Sequence, residues 1–314
     1  MKIPVTAVIA TKDRPEKLAN LFASLRAQEL ALAEMVVVDA SRDARTRELC
    51  AAAGGAAGRC VHRCAEKVGA ASQRNEGVAA STQPFILFAD DDVVLEPGCL
   101  RALWDAISGD PGLGGVNAVI TNQEYHAPGR VSGAFYAWLN GARLPSYAGR
   151  CIGPGLNFLP DSRDDLPEVS PVDWLNLGVT LYRREALPDP PFHPHFIGYS
   201  LGEDLALSLT VARKWRLASA RKARIFHDTG AGRGRLGVAR GAAMELVNRH
   251  FIMTRIRGMK RFGDYSRLVA WELFSIASGL RSASGWARLP AVVWGKLRGI
   301  FRILGAGNGA RGQG

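Results

Sequence analysis

Short runs of apolar residues alternate, along the first part of the chain, with segments whose apolar residues recur at helical spacing. The runs are apolar at successive positions rather than at every second one, which is typical of strands buried on both faces. The predicted strands are Ile3–Ala10, Met35–Asp39, Arg59–Arg63 and Phe85–Ala89, and the predicted helices are Arg14–Gln28, 43–53 and Ala70–Ser81. Because parallel strands need crossover helices, the pattern predicts an α/β fold with a mostly parallel sheet flanked by helices.

The pattern becomes looser beyond about residue 115. Glycine, proline and aromatic residues dominate as far as Pro171, which predicts long loops around a shorter mixed sheet. Strand character returns over Asp173–Tyr182 and Ala223–His227, and helical spacing returns over Asp204–Trp215 and from Arg240 to Ile303. Charged residues interrupt every stretch of about 18 residues, the length that a membrane-spanning helix needs, so we expect no spanning helix.

Three consecutive aspartates, Asp90, Asp91 and Asp92, close the apolar run that ends at Ala89. Carboxylates packed this tightly raise one another's pKa unless a cation neutralises them, and Mg²⁺ or Mn²⁺ prefers such oxygens. Ligands of open α/β sheets also collect at the carboxyl ends of strands. A solvated turn with an aspartate capping the next segment explains the same residues equally well, so both interpretations stay open at this point.

The charge and the cysteines limit the class of protein. The formal charge is +11, and Lys and Arg far outnumber Asp and Glu from Arg213 onward, which points to an anionic partner. The five cysteines are irregularly spaced and no signal-peptide pattern precedes the first strand, so we expect a reducing, cytoplasmic setting. Cys60 and Cys64 flank a histidine as half of a zinc site would, but no second ligand pair has suitable spacing.

Five motifs follow one another in an order that is more specific than any one of them. They are Val5–Arg14, Val36–Ser41, Gly69–Gly77, Phe88–Asp92 and Gly202–Asp204. In this order and spacing the chain resembles family 2 glycosyltransferases of the GT-A fold over about residues 3–230. The resemblance implies an inverting, metal-dependent transfer of a sugar from a nucleotide-diphosphate donor, commonly a UDP-sugar, to a hydroxyl of a glycan or lipid-linked acceptor.

The resemblance also assigns the residues that would bind the nucleotide-sugar. Thr11 and Arg14 follow the first strand, and Asp39 ends the second, where its carboxylate would accept a hydrogen bond from the base. Capping of the following helix is the alternative role for Asp39. Arg74 and Asn75 fall in a helix built otherwise from small residues and are expected to face the nucleotide, although an arginine on a helix is often merely solvated.

By the same resemblance, Asp90 and Asp92 hold Mn²⁺ or Mg²⁺ against the donor diphosphate, with Asp92 the principal ligand and Asp90 also on the nucleotide-sugar side. Asp91 is expected to orient the sugar. A third metal ligand is expected in His227, at the end of a predicted strand, where the family often has a histidine. A lone histidine is also commonly a core or surface residue, and that alternative stays open.

The acceptor side is assigned in the same way. Asp204 is expected to be the general base that deprotonates the acceptor hydroxyl, and Glu203 to orient the acceptor or support the loop, unless the pair merely caps a helix. Trp174, Asn176 and Gly178 would shape the acceptor pocket. A buried tryptophan is more often a core residue, which is the alternative for Trp174.

The resemblance leads to a division of the chain. We expect a GT-A catalytic domain over 1–238, with nucleotide-sugar binding in about 1–115 and the acceptor side in about 116–238. A helical, basic, amphipathic region follows over 239–304, and a flexible tail over 305–314. The glycines and two arginines of Asp228–Gly237 are typical of a loop that closes on a diphosphate or, alternatively, of an exposed linker.

The region after the motifs suggests where the protein works. Trp286–Leu304 mixes aromatic and aliphatic residues with only basic charges, which is typical of a helix lying in a membrane interface. We therefore expect peripheral contact with the inner membrane face, or alternatively a basic helix docked on the catalytic domain.

Two other classes of protein compete with this interpretation. A nucleotidyltransferase would use a similar sheet and metal site, but it usually needs a glycine-rich loop after the first strand, and Ala10–Arg14 contains no glycine. A nucleic-acid-binding protein would suit the charge, but stacking aromatics are not interleaved with the basic residues, so no nucleic-acid partner is expected. The sugar, the acceptor and the linkage depend on pocket shape and stay undetermined at this level.

Overall fold

The computed structural model describes residues 1–53, 59–163, 165–228 and 236–309 of the chain. These residues group into two compact units. The first unit comprises Met1–Ala127, Ser146–Arg150 and Asn157–Gly230, and the second comprises Pro128–Pro145, Cys151–Leu156 and Ala231–Gly314.

The secondary structure begins with the alternation that the sequence predicts and becomes mainly helical after His227. The strands are β1 Lys2–Thr11, β2 Ala31–Asp39, β3 Arg59–Cys64, β4 Phe85–Asp90, β5 Val93–Leu95, β6 Leu113–Ile120, β7 Cys151–Ile152, β8 Leu156–Asn157, β9 Val169–Pro171, β10 Val179–Arg183 and β11 Arg216–His227. The helices are α1 Pro15–Arg26, α2 Arg45–Ala53, α3 Ala70–Ala80, α4 Cys99–Gly109, α5 Arg130–Asn140, α6 Glu203–Val211, α7 Val238–Phe251, α8 Phe262–Gly279 and α9 Ala283–Gly309. A 3₁₀ turn covers Arg184–Ala186, and a π turn over Ile252–Ile256 continues α7.

The main sheet of the first unit has the strand order β3-β2-β1-β4-β10-β6-β11-β5, and β9 pairs with β11. The β1–β2, β1–β4, β2–β3 and β6–β11 pairs are parallel, whereas β10 runs antiparallel to both of its neighbours. The short strands β5 and β9 are antiparallel to β11. The prediction of a mostly parallel sheet flanked by helices is therefore confirmed.

Both faces of β1 are buried, which explains why it is apolar at successive positions. Ile9 belongs to the main hydrophobic cluster, which also contains Leu18 of α1 and Leu103 of α4. Val8 points to the opposite face, where Gly77 of α3 lies so close that a Cβ on the glycine would collide with the valine Cγ1. Side chains alternate between the faces of a strand, so a strand covered by helices on both sides needs apolar residues throughout.

Long loops around a shorter mixed sheet were predicted between about residue 115 and Pro171, and no helix was predicted there, although α5 forms over Arg130–Asn140. Phe135 and Trp138 of α5 stack at 5.9 Å between ring centroids, and Phe135 stacks on Phe274 of α8 at 4.4 Å, within the second unit. Packing between distant segments stabilises a helix whose local sequence, with Gly133 and several aromatic residues, has low helix propensity.

Three predicted boundaries also differ from the structure. β10 begins at Val179 rather than Asp173, and α6 ends at Val211 rather than Trp215. β11 starts at Arg216, well before Ala223, because its first part pairs with β6 and β9. Strand length here is set by pairing partners, which local periodicity does not reveal.

The second unit is built on α7, α8 and α9. Gly295 and Gly299 of α9 lie against the backbone of α7, where a Cβ at Gly295 would collide with the carbonyl of Ala239. Lys296 forms ion pairs with Glu245 at 2.9 Å and with Glu272 at 2.6 Å, which joins the three helices. Within the described ranges, no helix has both the length and the apolar character needed to cross a membrane.

The two predicted flexible segments are only partly described. α9 continues to Gly309, past the expected start of a tail at residue 305, and residues 310–314 lie outside the described residues. Most of the predicted closing loop, 229–235, also lies outside them.

Candidate active site

Three parallel strands end in polar residues at one edge of the sheet. β1 ends at Thr11, β2 at Asp39 and β4 at Asp90. In the registers of these pairs Thr11 lies opposite Asp39, and Ala10 lies opposite Asp90. The motifs that the sequence spreads over about 80 residues are therefore adjacent in space, at the edge where α/β sheets bind their ligands.

Asp90, Asp92 and His227 form a cluster in which one ligand atom from each lies within 4.8 Å of the others. β11 reaches this edge because His227 pairs with Val93 of β5, and its Nε2 lies 3.1 Å from an oxygen of Asp92. The buried Nδ1 of His227 has no hydrogen-bond partner among the described residues. Two carboxylates and one imidazole suit Mn²⁺, and carboxylates suit Mg²⁺, so the residues present fit a divalent cation.

The charges of this cluster are unequal. Burial raises the pKa of Asp90, although the Arg74 guanidinium opposes the shift. Burial would also raise the pKa of Asp92, but the hydrogen bond and charge of His227, together with Arg14, outweigh it and lower that pKa. The hydrogen bond that His227 donates to Asp92 raises the pKa of His227. A bound cation would compete with this hydrogen bond for the Asp92 carboxylate and the His227 ring nitrogen.

Asp91 points to β1 and its following turn. One carboxylate oxygen accepts a hydrogen bond from the Thr11 hydroxyl at 2.7 Å, and the other lies 3.3 Å from the Arg14 guanidinium, which also reaches Asp92 at 3.1 Å. Burial raises the pKa of Asp91 to about 6, against the opposing hydrogen bond from Thr11. Its expected role in orienting the sugar stays a prediction, beside this observed role in holding Thr11 and Arg14.

Arg74 connects the cluster to the acidic pair at the start of α6. Its guanidinium lies 2.6 Å from an oxygen of Asp90 and 2.9 Å from an oxygen of Glu203, and its side chain is only 6% exposed. Burial raises the pKa of Glu203 and of Asp204, and the charge of Asp90 adds to the shift at Asp204. A carboxylate with a raised pKa beside a cation site can accept a proton near neutral pH.

Asn75, the neighbour of Arg74, has a visible structural role. Its amide donates to the carbonyl of Phe192 at 2.8 Å and accepts from the Phe192 N–H at 2.9 Å. These two bonds hold the backbone at Phe192 against α3. Both ends of the amide are thus engaged by backbone. Contact between Asn75 and the nucleotide stays a prediction that competes with this role.

The three predicted acceptor residues differ in their surroundings. Trp174 is buried and donates its indole N–H to the carbonyl of Phe158 at 2.8 Å, as a core residue would. Gly178 accepts the backbone N–H of Asp90 at 3.0 Å. The buried amide of Asn176 has no hydrogen-bond partner for either of its polar atoms among the described residues, and its contact with the acceptor stays a prediction.

Asp39 has two partners, one of them missed in the sequence. One oxygen accepts the backbone N–H of Ser41 at 2.8 Å, a local turn rather than a helix cap, because α2 begins only at Arg45. The other oxygen lies 3.1 Å from Nε2 of His62. His62 reaches Asp39 because it lies opposite Val37 in the β2–β3 register. Only strand pairing could have revealed it.

Two other side chains that support the site were also missed. Gln73 donates to the carbonyls of Thr11 at 2.9 Å and Val38 at 2.8 Å, which joins α3 to the ends of β1 and β2. Lys17 forms an ion pair with Asp228, directly after His227. The spacing of Lys17, three residues after Arg14 at the start of a predicted helix, was a signal that it shares a face with Arg14.

Comparison with known proteins gives three findings. Residues 6–144 match the model of a family described as glycosyl transferase family 2. Among solved structures, the chain is similar to the mannosyltransferase PcManGT from Pyrobaculum calidifontis in complex with GDP-Man and Mn²⁺, at 14% identity and a TM-score of 0.53, covering 100% of this chain and 89% of that one. It is also similar to a mycobacterial protein, at 18% identity and a TM-score of 0.50, covering 82% and 76%. No curated protein sequence matches the chain.

Proposed function

We propose that this chain, a glycosyltransferase whose residues 6–144 match family 2, is an inverting, metal-dependent enzyme that uses a nucleotide-diphosphate sugar. The observation that carries the proposal is the convergence of Asp90, Asp92 and His227, linked through Arg74 to Glu203 beside Asp204. This arrangement supports a cation site for a diphosphate close to a base for an incoming hydroxyl.

On the donor side, the nucleotide lies across the ends of β1 and β2. Thr11 and Arg14 border this edge, and Asp39 offers a carboxylate to an N–H of the base, with uracil the proposed base. The diphosphate lies against the cluster of Asp90, Asp92 and His227. A bound Mn²⁺ or Mg²⁺ would act as a Lewis acid on the departing nucleoside diphosphate.

On the acceptor side, Asp204 takes the proton of the attacking hydroxyl. The new bond joins the acceptor oxygen to the anomeric carbon, the bond from that carbon to the diphosphate oxygen breaks, and attack opposite the leaving group inverts the configuration. Glu203, held by Arg74, fixes the start of α6 and so positions its neighbour. Arg74 also touches Asp90, so one side chain joins the cation cluster to the residue next to the proposed base.

The proposed acceptor is a hydroxyl of a glycan or a lipid-linked sugar, and Asn176 is the side chain proposed to bind it. A lipid-linked acceptor is reached at a membrane surface. We therefore also propose peripheral contact at the cytoplasmic face, through the helical region 239–304.

A donor screen tests the proposal. Thermal unfolding is followed with UDP-, GDP- and dTDP-sugars, each with Mn²⁺ and with EDTA, because a ligand that binds the native state raises the melting temperature. We expect stabilisation by one nucleotide class that disappears with EDTA. No metal-dependent stabilisation by any nucleotide would contradict the proposal, and release of pyrophosphate from a nucleoside triphosphate would favour a nucleotidyltransferase.

A further inference from the structure

Helix α9 has a continuous apolar stripe on its exposed side. The stripe consists of Trp286, Val293, Trp294, Leu297, Ile300, Phe301 and Leu304, which are between 41% and 72% exposed. At 3.6 residues per turn these positions fall within an arc of about 120° on one side of the helix. Scattered apolar residues are normal on a protein surface, but a contiguous apolar face of this kind marks a site of interaction.

The stripe cannot turn inward, because the opposite side of α9 is already packed. Gly295 and Gly299 lie against α7 at backbone distance, and Lys296 is 8% exposed and pairs with Glu245 and Glu272. Rotating the helix would expose this ion-pair network and bring large side chains where only glycine fits. The stripe is thus held outward by the packing of α7, α8 and α9.

The charge around the stripe identifies the partner. Arg298 and Arg302 are exposed on the side of α9 that adjoins the stripe at Trp294, whereas Arg288 is exposed on the opposite side. No aspartate or glutamate occurs in α9. A second copy of the chain would bring like charges together at the same surface, which opposes self-association. An anionic lipid surface complements the arginines and accepts the apolar side chains at the same time.

We propose that α9 lies in the plane of an anionic phospholipid bilayer, with its stripe inserted among the acyl chains and its arginines at the phosphates. The two tryptophans suit this depth, since an indole has a large apolar ring and one polar N–H. α8 carries a second exposed apolar series, Phe262, Tyr265, Val269 and Leu273, at helical spacing. This binding mode rests on the peripheral membrane contact proposed above, and it assigns that contact to the stripe on α9 and to anionic phospholipid.

Flotation with vesicles tests the surface directly. The full chain is mixed with vesicles of phosphatidylcholine alone or of phosphatidylcholine with phosphatidylglycerol, without donor or acceptor. Absence of vesicle binding would therefore not affect the assignment as a glycosyltransferase. We expect binding to the anionic vesicles, weakened by salt, and at least about a tenfold loss of affinity in W294S/F301S.

Two matched controls separate the stripe from general surface effects. V68S/V169S removes two exposed apolar side chains of the first unit and should bind like the wild type. R298Q/R302Q should weaken binding, whereas R26Q/R63Q, with the same change of net charge at exposed sites elsewhere, should not. Circular dichroism spectra identical to wild type are expected for all four, because every substituted side chain is exposed.

Quenching of tryptophan fluorescence by brominated lipids distinguishes insertion from adsorption. We expect quenching in the wild type and much less in W286F/W294F. Absence of flotation, equal binding by W294S/F301S, or absence of quenching would overturn the proposal. A dimer seen by light scattering and abolished in W294S/F301S would overturn it in favour of self-association.

Discussion

At the scale of single residues, Asp204 and its surroundings carry the proposed chemistry. The side chain lies in the first turn of α6, next to Glu203, which Arg74 holds at 2.9 Å. The Asp204→Asn change keeps the shape of the side chain but removes the base. We expect kcat to fall by about 10²–10⁴-fold, the usual contribution of general base catalysis.

Nucleotide binding and thermal stability should survive this change, because the cation cluster does not include Asp204. Asp105→Asn, at an exposed position of α4, is the matched control and should leave kcat unchanged. Activity near the wild-type level in Asp204→Asn would rule out this residue as the base.

The pH profile provides a separate prediction about the same residue. Burial raises the pKa of Asp204, and only the ionised form can accept a proton. Activity should therefore be complete above the raised pKa and fall as the pH drops through it, at a higher pH than for an exposed aspartate, whose pKa is about 3.9. The measurement is kcat/KM against pH at saturating Mn²⁺; a profile that stays flat down to pH ~4 would contradict the assignment.

Asp92 is the residue on which cation binding should depend most. It approaches both His227 and Arg14, and its pKa is lowered, so it is ionised at neutral pH. Asp92→Asn should abolish the rise in melting temperature that Mn²⁺ gives with a nucleotide donor. Asp43→Asn, at an exposed turn, is the control; an undiminished Mn²⁺ effect in Asp92→Asn would refute the ligand assignment.

At the scale of elements, the contact between α3 and β1 positions Arg74. Gly77 of α3 lies against Val8, and a Cβ there has no room. Gly77→Ala should lower the free energy of unfolding by about 1–3 kcal/mol, the usual cost of overpacking, and should reduce kcat through displacement of Arg74. Chemical denaturation and activity of the same samples measure both effects.

Gly109→Ala is the matched control for this change. Gly109 ends α4, and a Cβ there meets no atom within 4 Å, so the change should be neutral or slightly stabilising. Equal stability of the two variants would mean that α3 can move away from β1 without cost.

A helix or strand could be predicted where its local sequence pattern matches the burial that the tertiary structure gives it. β1, β2 and β4 each contain a run of consecutive apolar residues, so both their existence and their burial follow from the local sequence. α5 was not predictable, because aromatic contacts with α8 rather than propensity stabilise it. The early part of β11 was hidden for a similar reason, since its partners are distant in sequence.

At the scale of the whole molecule, the formal charge of +11 alone would favour binding to any polyanion. The structure adds an apolar stripe on α9, which a membrane can accommodate and a nucleic acid cannot. At physiological salt we expect no binding to single-stranded DNA, measured by fluorescence anisotropy, because unspecific contacts with phosphates are strongly screened. Tight DNA binding at this salt concentration would reverse the assignment of the anionic partner.

The sequence by itself determined the order of the motifs and predicted the strands β1, β2, β3 and β4 with the helices between them. The roles of the acidic residues stay predictions. Burying a charged side chain is costly, so buried strands are rich in apolar residues and charges fall at their ends. Both patterns can be recognised in the local sequence. His227 meets Asp92, as the family resemblance implied. The tertiary structure alone decided that Arg74 lies between Asp90 and Glu203 and that His62 meets Asp39. These pairs depend on strand register and helix packing over long sequence separations, so no local pattern contains them.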